Sequence, residues 1–509
     1  MAKPEAVIEI GSTGIRLLVA EITHDGKRNI LDRSDLPVSL GRDVFTVGSI
    51  SRDSLLQSLS ILKRYREQLA GWGITPEETT AVATSALREA KNRDPVCDRI
   101  MVKTGFRVKV IDGIEENRLM YLAVTECLKD EAVSVREQDS IILEVGGGST
   151  EMMLIEKGKM AGAHSMRLGT VIIEQQLKVM LGSLDDARRY IEEFIRNTKG
   201  SLNNELNLSK VQQFIAIGSD ARIAAIYCGK PVSPFLWQIN REDFDRFVNE
   251  LQAYSTEEII AHFKLSYSDA QSLHISLLAY KLFIKLTNVK TIIVPETSIR
   301  EGLIISKKAG ANTELEQEFY TQITASALNL LRKYNGDEKH AQYVRMISLK
   351  LFDALKDELG LEHKARMLLE TAALLHDVGM FIRADDHNIH SKYIIEHSEI
   401  FGLSKDESTI VAEIAKYHRG TIRPQDNTQF LELPRDGRLT ILKLTAILRV
   451  ADALDRAHTQ RISEFKISFT NDTMTMTTNG QHHNVLEKIA VTEKSDMFES
   501  VFGYRVILV

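Results

Sequence analysis

Through roughly the first 300 residues, short apolar runs closed by turn residues alternate with segments whose apolar positions recur at three-to-four spacing. "AVIEI" and "GIRLLVAEI" predict strands, and "THDGK" turns the chain into a third. In "SRDSLLQSLSILKRYREQLAGWG", Leu55, Leu59, Leu62 and Leu69 recur at helical spacing. Ser51 is placed to cap that helix and Gly71 to end it. "TTAVAT" and "FRVKVI" predict further strands, each leading into a helix, so the whole stretch reads as α/β. Near residue 310 the style changes. "KKAGANTELEQE" reads as a polar joint, and "AQYVRMISLKLFDALKDEL", "ARMLLETAALLHDVG", "STIVAEIAKYH" and "LTILKLTAILRVADALDRAH" all carry helical apolar faces. From about residue 461 alternation returns ("FKISFTNDTMTMTTN", "GYRVILV"), predicting a small strand-rich tail. Four segments are therefore expected: 1–125, 126–309, 310–460 and 461–509.

One internal repeat sharpens this picture. "VIEIGSTGIRLLVAEITHDGK" can be laid over "ILEVGGGSTEMMLIEKGK": strand, acid (Glu9, Glu144), Gly/Ser/Thr turn, second strand, Gly-Lys turn. The repeat predicts two similar halves, 1–125 and 126–309, with their turns meeting across a cleft.

Those turns carry the candidate chemistry. A glycine turn after a strand lets successive main-chain N–H groups point into one concavity and bind phosphate oxygens. Gly11 with Ser12 and Thr13, and Gly146, Gly147, Gly148 with Ser149, form two such turns, the hydroxyls adding donors. Glu144 and Glu151 flank the second turn, where carboxylates would repel a phosphate unless a cation lies between them. Mg²⁺ suits that role, since it takes one or two carboxylates together with phosphate oxygens and waters. In "VIDGIEENRLMYLAV" a strand ends at Asp112, and Glu115 and Glu116 open a helix at the rim where α/β sheets bind ligands. A carboxylate there, crowded by others, can take a proton from an attacking water. Arg16, Arg88, Arg167 and Arg300 lie near these junctions and could grip phosphates in fork geometry.

Composition limits the partners. With 64 basic against 70 acidic residues the formal charge is −6, so attraction for a polyanion must come from local clusters. No nucleic-acid partner is expected. The three cysteines (Cys97, Cys127, Cys228) have no metal-type spacing, which suits a reduced compartment. No apolar run approaches membrane length and "MAKPEAVIEIGSTG" lacks a signal pattern, so a cytoplasmic protein without a membrane partner is expected.

"IEIGSTGIRLLV", "ATSALREAKN", "IDGIEENRLMYLAV", "EVGGGSTE", "RLGTVIIEQQ" and "SIREGLI" follow one another as in the exopolyphosphatase/guanosine pentaphosphate phosphatase (Ppx/GppA) family, which the chain resembles. The resemblance implies two ribonuclease-H-like halves of the actin and sugar-kinase superfamily, then an all-α HD-like domain and a small α+β tail. It also implies Mg²⁺-assisted hydrolysis of phosphoanhydrides, with inorganic polyphosphate or pppGpp as substrate, and a homodimer. Carried over by position, Glu116 would be the general base and Glu144 and Glu151 the holders of metal or water. Ser12, Thr13, Arg88 and Gly146–Ser149 would be phosphate contacts. Two departures stand out. Glu9 and Glu144 occupy positions where the family has Asp, and "AIGSDARIAA" puts Ser219 and Asp220 where small residues are usual. Asp220 argues against a tightly held purine at that turn.

In the helical region, His340, His376, Asp377, His390, His418 and Asp452 follow the order of the HD superfamily of metal-dependent phosphohydrolases. A second divalent ion on His340, His376, Asp377 and Asp452 is the implied site; imidazole and carboxylate suit such an ion. His387, His397 and His458 are expected at the surface. Three other readings compete with the hydrolase: a kinase of the same superfamily, a protein that senses polyphosphate or (p)ppGpp without turnover, and an HD phosphohydrolase working through the C-terminal half.

Overall fold

A computed structural model describes residues 3–22, 28–129, 131, 135–180, 183–265, 267–309, 313–361, 364–420, 427–462, 464–478 and 484–509. The "THDGK" turn therefore lies outside the described residues. Two compact units are present, Met1–Gln317 and Glu318–Val509.

The first unit holds two sheets. One is ordered β3-β2-β1-β4-β5, from β1 (Glu5–Ile10), β2 (Gly14–Ile22), β3 (Arg28–Pro37), β4 (Thr80–Ala83) and β5 (Val108–Val110). β1 to β3 run antiparallel, and β4 and β5 join parallel to β1. The other comprises β6 (Ser140–Val145), β7 (Thr150–Glu156), β8 (Lys159–Met166), β9 (Gln213–Ile217), β10 (Gly229–Ser233), β11 (Leu236–Asn240) and β12 (Thr291–Pro295). Its order, β10-β11-β12-β9-β6-β7-β8, contains β8-β7-β6-β9-β12 with the same pattern of parallel and antiparallel pairs as the first sheet. The repeat read from two turns thus extends to whole sheets, with β10 and β11 added at one edge.

β1 and β6 are central strands, so their apolar residues are buried on both faces. In β6 the single half-buried position is Glu144. The helices Gly113–Cys127, Ser219–Cys228 and Ile299–Ala309 follow β5, β9 and β12, so each begins at the end of a parallel strand, where ligands bind. The helix Arg52–Gly71 has the expected boundaries, and Ser51 Oγ accepts from the Ser54 amide at 3.2 Å. The polar joint is smaller than expected. Helices run to Ala309 and again from Thr313, because its Glu, Leu and Gln are good helix formers.

In the second unit, helices surround one apolar core that includes Ile347, Leu374, Val411 and Leu444. A three-stranded sheet of β13 (Phe465–Phe469), β14 (Thr473–Thr478) and β15 (Arg505–Leu508) contributes Met474, Met476 and Val506 to that same core. The tail therefore adds to the helical core instead of building its own. Among the described residues, no helix is long and apolar enough to cross a membrane.

Helices Gly113–Cys127 and Ile299–Ala309 meet at a glycine. A Cβ on Gly302 would sit 2.0 Å from the Leu119 carbonyl oxygen, an atom that cannot give way. Gly302→Ala should therefore cost about 1–3 kcal/mol. Gly71→Ala, with nothing within 4 Å of its Cβ, should be neutral or stabilising by up to about 1 kcal/mol. Urea denaturation of both variants checks this; equal losses would refute the close contact.

Candidate active site

The two turns share one crevice. A Cβ on Gly147 would lie 3.0 Å from Ser12 Cβ and 3.2 Å from Thr13 Cγ2, and one on Gly148 would lie 2.5 Å from Ser85 Oγ. Gly146, Gly147 and Gly148 all have negative φ or extended backbone, so close approach, and not a left-handed backbone, is what demands glycine here. Each turn closes on itself: Gly11 N–H donates to Gly14 O and Gly146 N–H to Ser149 O, both at 2.9 Å. The amides of Ser12, Gly147 and Gly148 have no hydrogen-bond partner among the described residues and remain for a ligand. Ser12 Oγ meets Ser85 Oγ at 3.0 Å, which makes Ser85 a cleft residue the sequence reasoning missed.

The hairpin register explains the acids. In β1–β2, Glu9 stands opposite Arg16; in β6–β7, Glu144 stands opposite Glu151. Arg16 reaches Glu9 Oε1 at 3.3 Å and Asp35 Oδ2 at 2.9 Å, and Arg300 reaches Glu9 Oε2 at 3.3 Å, so the first acid is fully compensated. The second copy has no such cation in its cross-strand position. Like charges directly opposed destabilise an antiparallel pair. Burial, with Glu9 and Glu116 nearby, pushes the Glu144 carboxyl up to about 7. Burial and Glu116 push Glu151 well above the ordinary carboxylate range. Glu151 is 3% exposed and accepts from Ser165 Oγ at 2.8 Å and Asn117 Nδ2 at 3.2 Å. Asn117 and Ser165 are also residues the sequence reasoning did not single out.

Glu116 belongs to the same cleft. It lies in the first turn of the helix Gly113–Cys127, whose N-cap Asp112 accepts from Glu115 N at 2.8 Å. Glu115 points elsewhere, into a two-point pair with Arg118, and the two acids of the "EE" pair are thereby told apart. Burial raises the Glu116 carboxyl, Arg88 pulls against that, and Glu9 adds to it. Arg88 donates to Glu116 and to the Ile111 carbonyl, so it holds the acid instead of facing open solvent. Arg300 lines the cleft, whereas Arg167 sits on the surface, paired with Glu89 at 3.0 Å. Arg222, Ser219 and Asp220 line it as well.

In the second unit, the candidate ligands converge from the ends of five helices. His340 Nε2 lies 3.2 Å from His376 Nε2 and 3.4 Å from Asp452 Oδ1. Asp377 spans two groups: Oδ2 lies 3.7 Å from His340 Nε2, while Oδ1 lies 3.0 Å from His387 Nε2 and 3.4 Å from His418 Nε2. His387 was expected at the surface and is buried (4% exposed), while His390, expected in the set, has no place in it. The reason is helical phase, since His387 shares the buried face with Ser391, Ile394 and Ile395. His458 is exposed as expected but stacks on His340 with centroids 3.7 Å apart. The outer nitrogens are all satisfied. Nδ1–H of His376, His387 and His418 donates to the carbonyls of Ala373, Ala384 and Ala415, and that of His340 to Asp455 Oδ2 at 2.8 Å. At His376 and His418 this turns Nε2 inward, the arrangement metal-binding histidines have, while His387 Nδ1 is also approached by Arg419 Nη1 at 3.2 Å. Burial alone would depress His340, but Asp452 and Asp455 lift it to about 9. Burial would raise Asp377, but His376, His387 and His418 hold it well below its usual value.

Residues 18–310 match the model of the Ppx/GppA phosphatase family, and residues 324–497 that of Ppx/GppA phosphatase, domain III. A guanosine-5'-triphosphate,3'-diphosphate pyrophosphatase of Vibrio vulnificus is 23% identical over 437 residues, covering 81% of this chain and 80% of that protein. One of Photobacterium profundum is 21% identical over 509 residues, covering 97% and 96%. Among solved structures, an exopolyphosphatase of Cytophaga hutchinsonii has a TM-score of 0.54 at 23% identity, covering 60% of this chain and 98% of that one. That likeness concerns the fold.

Glu144 gives a signed prediction. Its folded value of about 7 exceeds the ordinary 4.5, so between these the native state holds the extra proton and stability falls as pH rises. In chelator, Glu144→Gln should melt above the wild type at pH 8, and that advantage should shrink steadily toward pH 5. A difference in melting temperature that is constant with pH would refute it.

Proposed function

Because the chain belongs to the Ppx/GppA phosphatase family, we propose that its first unit cleaves the terminal phosphoanhydride of inorganic polyphosphate, of pppGpp, or of both, releasing orthophosphate. Membership makes it a phosphoanhydride hydrolase; the choice of substrate and the roles of individual residues are our reading. One observation carries it. Glu144, half-buried, and Glu151, buried, stand opposite each other with no cation paired to either among the described residues, beside a turn with open amides and within the field of a third acid, Glu116.

That donor set fits Mg²⁺, which is small, takes carboxylate oxygen and completes its shell with phosphate and water. Held by Glu144 and Glu151, it would supply neutralisation of the charge on the phosphoryl group. The open amides of Ser12, Gly147 and Gly148, with the hydroxyls of Ser12, Thr13 and Ser149, cradle the terminal phosphate. Glu116 takes a proton from a water aimed at phosphorus; the new O–P bond forms as the bridging P–O bond breaks, and the shortened anion leaves. Arg88, fixed by the Ile111 carbonyl at 2.8 Å, keeps Glu116 aimed into the cleft. Catalysis of this kind is mostly positioning and electrostatics. The repeated sheet order supports two ribonuclease-H-like halves as the frame.

The histidine cluster supports a second reading, a divalent centre in an HD-like second unit. His340, His376 and Asp452 would make one ion position, and His376, Asp377 and His418 another beside it, with His387 Nε2 3.0 Å from Asp377 Oδ1. Ions there would supply an activated water for phosphoester chemistry.

Glu116→Gln should lower turnover on polyphosphate and pppGpp by about a hundredfold or more with little change in KM. Phosphate release from both substrates, with Mg²⁺ and after chelation, checks this; near-normal turnover removes Glu116 from the mechanism. Elemental analysis should find divalent metal in the wild type and in Glu116→Gln, and lose it in His376→Ala. Equal metal content in all three would refute the second centre.

A further inference from the structure

Among the described residues, Arg222 is a cleft cation with no carboxylate paired to it. It projects from the helix Ser219–Cys228, one turn beyond Gly218, and lines the same crevice as the two turns and Glu116. Its cationic neighbours are Arg33 and Arg300. Both of those have carboxylates: Arg33 pairs with Glu296 at 2.9 Å and Glu301 at 2.7 Å, and Arg300 with Glu9 at 3.3 Å. Arg222 has none. Among the described residues its guanidinium makes no hydrogen bond and no carboxylate stands within ion-pairing distance of it. Asp220, on the same helix and the same wall, is no exception. A guanidinium stays charged at any workable pH and carries five N–H donors. Leaving such a group half-buried beside two further arginines is costly unless an anion arrives. Burial, Arg300 and Arg33 press its proton affinity down, and Glu301 and Glu296, the partners of Arg33, offset that only in part.

The missing anion is not the phosphate being released. That group belongs at the turns, with Ser12 and Gly147; Arg222 lines the crevice together with Ile299 and Arg300, where the helix Ile299–Ala309 begins. Resting on the reading of the first unit as a phosphoanhydride hydrolase, we propose that Arg222 is a specificity-determining residue that binds a second phosphoryl group of the substrate, remote from the bond that breaks. A fork of donors meeting phosphate oxygens two at a time is the geometry guanidinium provides. The second group has two sources: the following phosphates of a linear polyphosphate, or the 3′-diphosphate of a guanosine nucleotide.

The test compares wild type, Arg222→Gln and Arg222→Lys on pyrophosphate, long-chain polyphosphate and pppGpp, reading KM and kcat separately. In Arg222→Gln, KM for a substrate with a second anionic group in reach should rise about tenfold or more, with kcat within about twofold. Pyrophosphate, too short to span the cleft, should change little. Lys, keeping the charge without the fork, should recover part of the loss. A rise confined to polyphosphate identifies the chain phosphates; one confined to pppGpp identifies the nucleotide's distal diphosphate; either supports the proposal. Unchanged KM on both long substrates overturns it, as does an equal loss on all three that Lys does not relieve, the mark of a structural role. A wild type that releases phosphate from none of the three sinks the proposed function, and this inference with it.

Discussion

Two glutamates held face to face in an antiparallel pair, with no counter-charge between them, are the constraint from which the first unit's chemistry follows. Glu144 and Glu151 occupy one register position of β6 and β7, and burial removes the water that would screen them. In the other half the corresponding pair is Glu9 and Arg16, an ion pair complete within the protein. A duplicated element has thus been resolved into one satisfied and one unsatisfied copy. The satisfied copy supplies a rigid wall; the unsatisfied one supplies an appetite for a cation, and the open amides beside it an appetite for an anion. A metal–phosphate pair answers both.

The positive charges are arranged around this imbalance. Arg16 and Arg300 close off Glu9, and Arg88 grips Glu116 while anchored to the Ile111 carbonyl. Each arginine that touches an acid removes that acid from competition for metal. What remains is a small set of groups with unmet requirements, clustered on one crevice. The second unit follows the same logic with softer ligands. Four imidazoles are held through Nδ1, so their Nε2 atoms converge on two carboxylates, Asp377 and Asp452.

Much of this was legible in the sequence because the turns are extreme. Three consecutive glycines between acids have few explanations, and the α/β alternation placed them at strand ends. The cross-strand pairing was available too: Glu9 to Arg16 and Glu144 to Glu151 have the same sequence spacing, and a hairpin with such a turn sets those positions opposite. Arg222 was not legible, because its significance lies in the partners it lacks, which only assembled neighbours reveal. His387 and His390 both fit a motif order, and only the phase of the buried helical face separates them. Glu115 and Glu116 are alike in sequence until Arg118 claims one of them.

The contact between Gly147 and Ser12 has a mechanical consequence. A methyl group there would crowd Ser12 Cβ at 3.0 Å and Thr13 Cγ2 at 3.2 Å, so the turns have little room to be pressed nearer at the floor of the crevice. Any tightening around a bound anion has to come as a tilt of the walls about that point, with the floor serving as fulcrum and the rim travelling farthest.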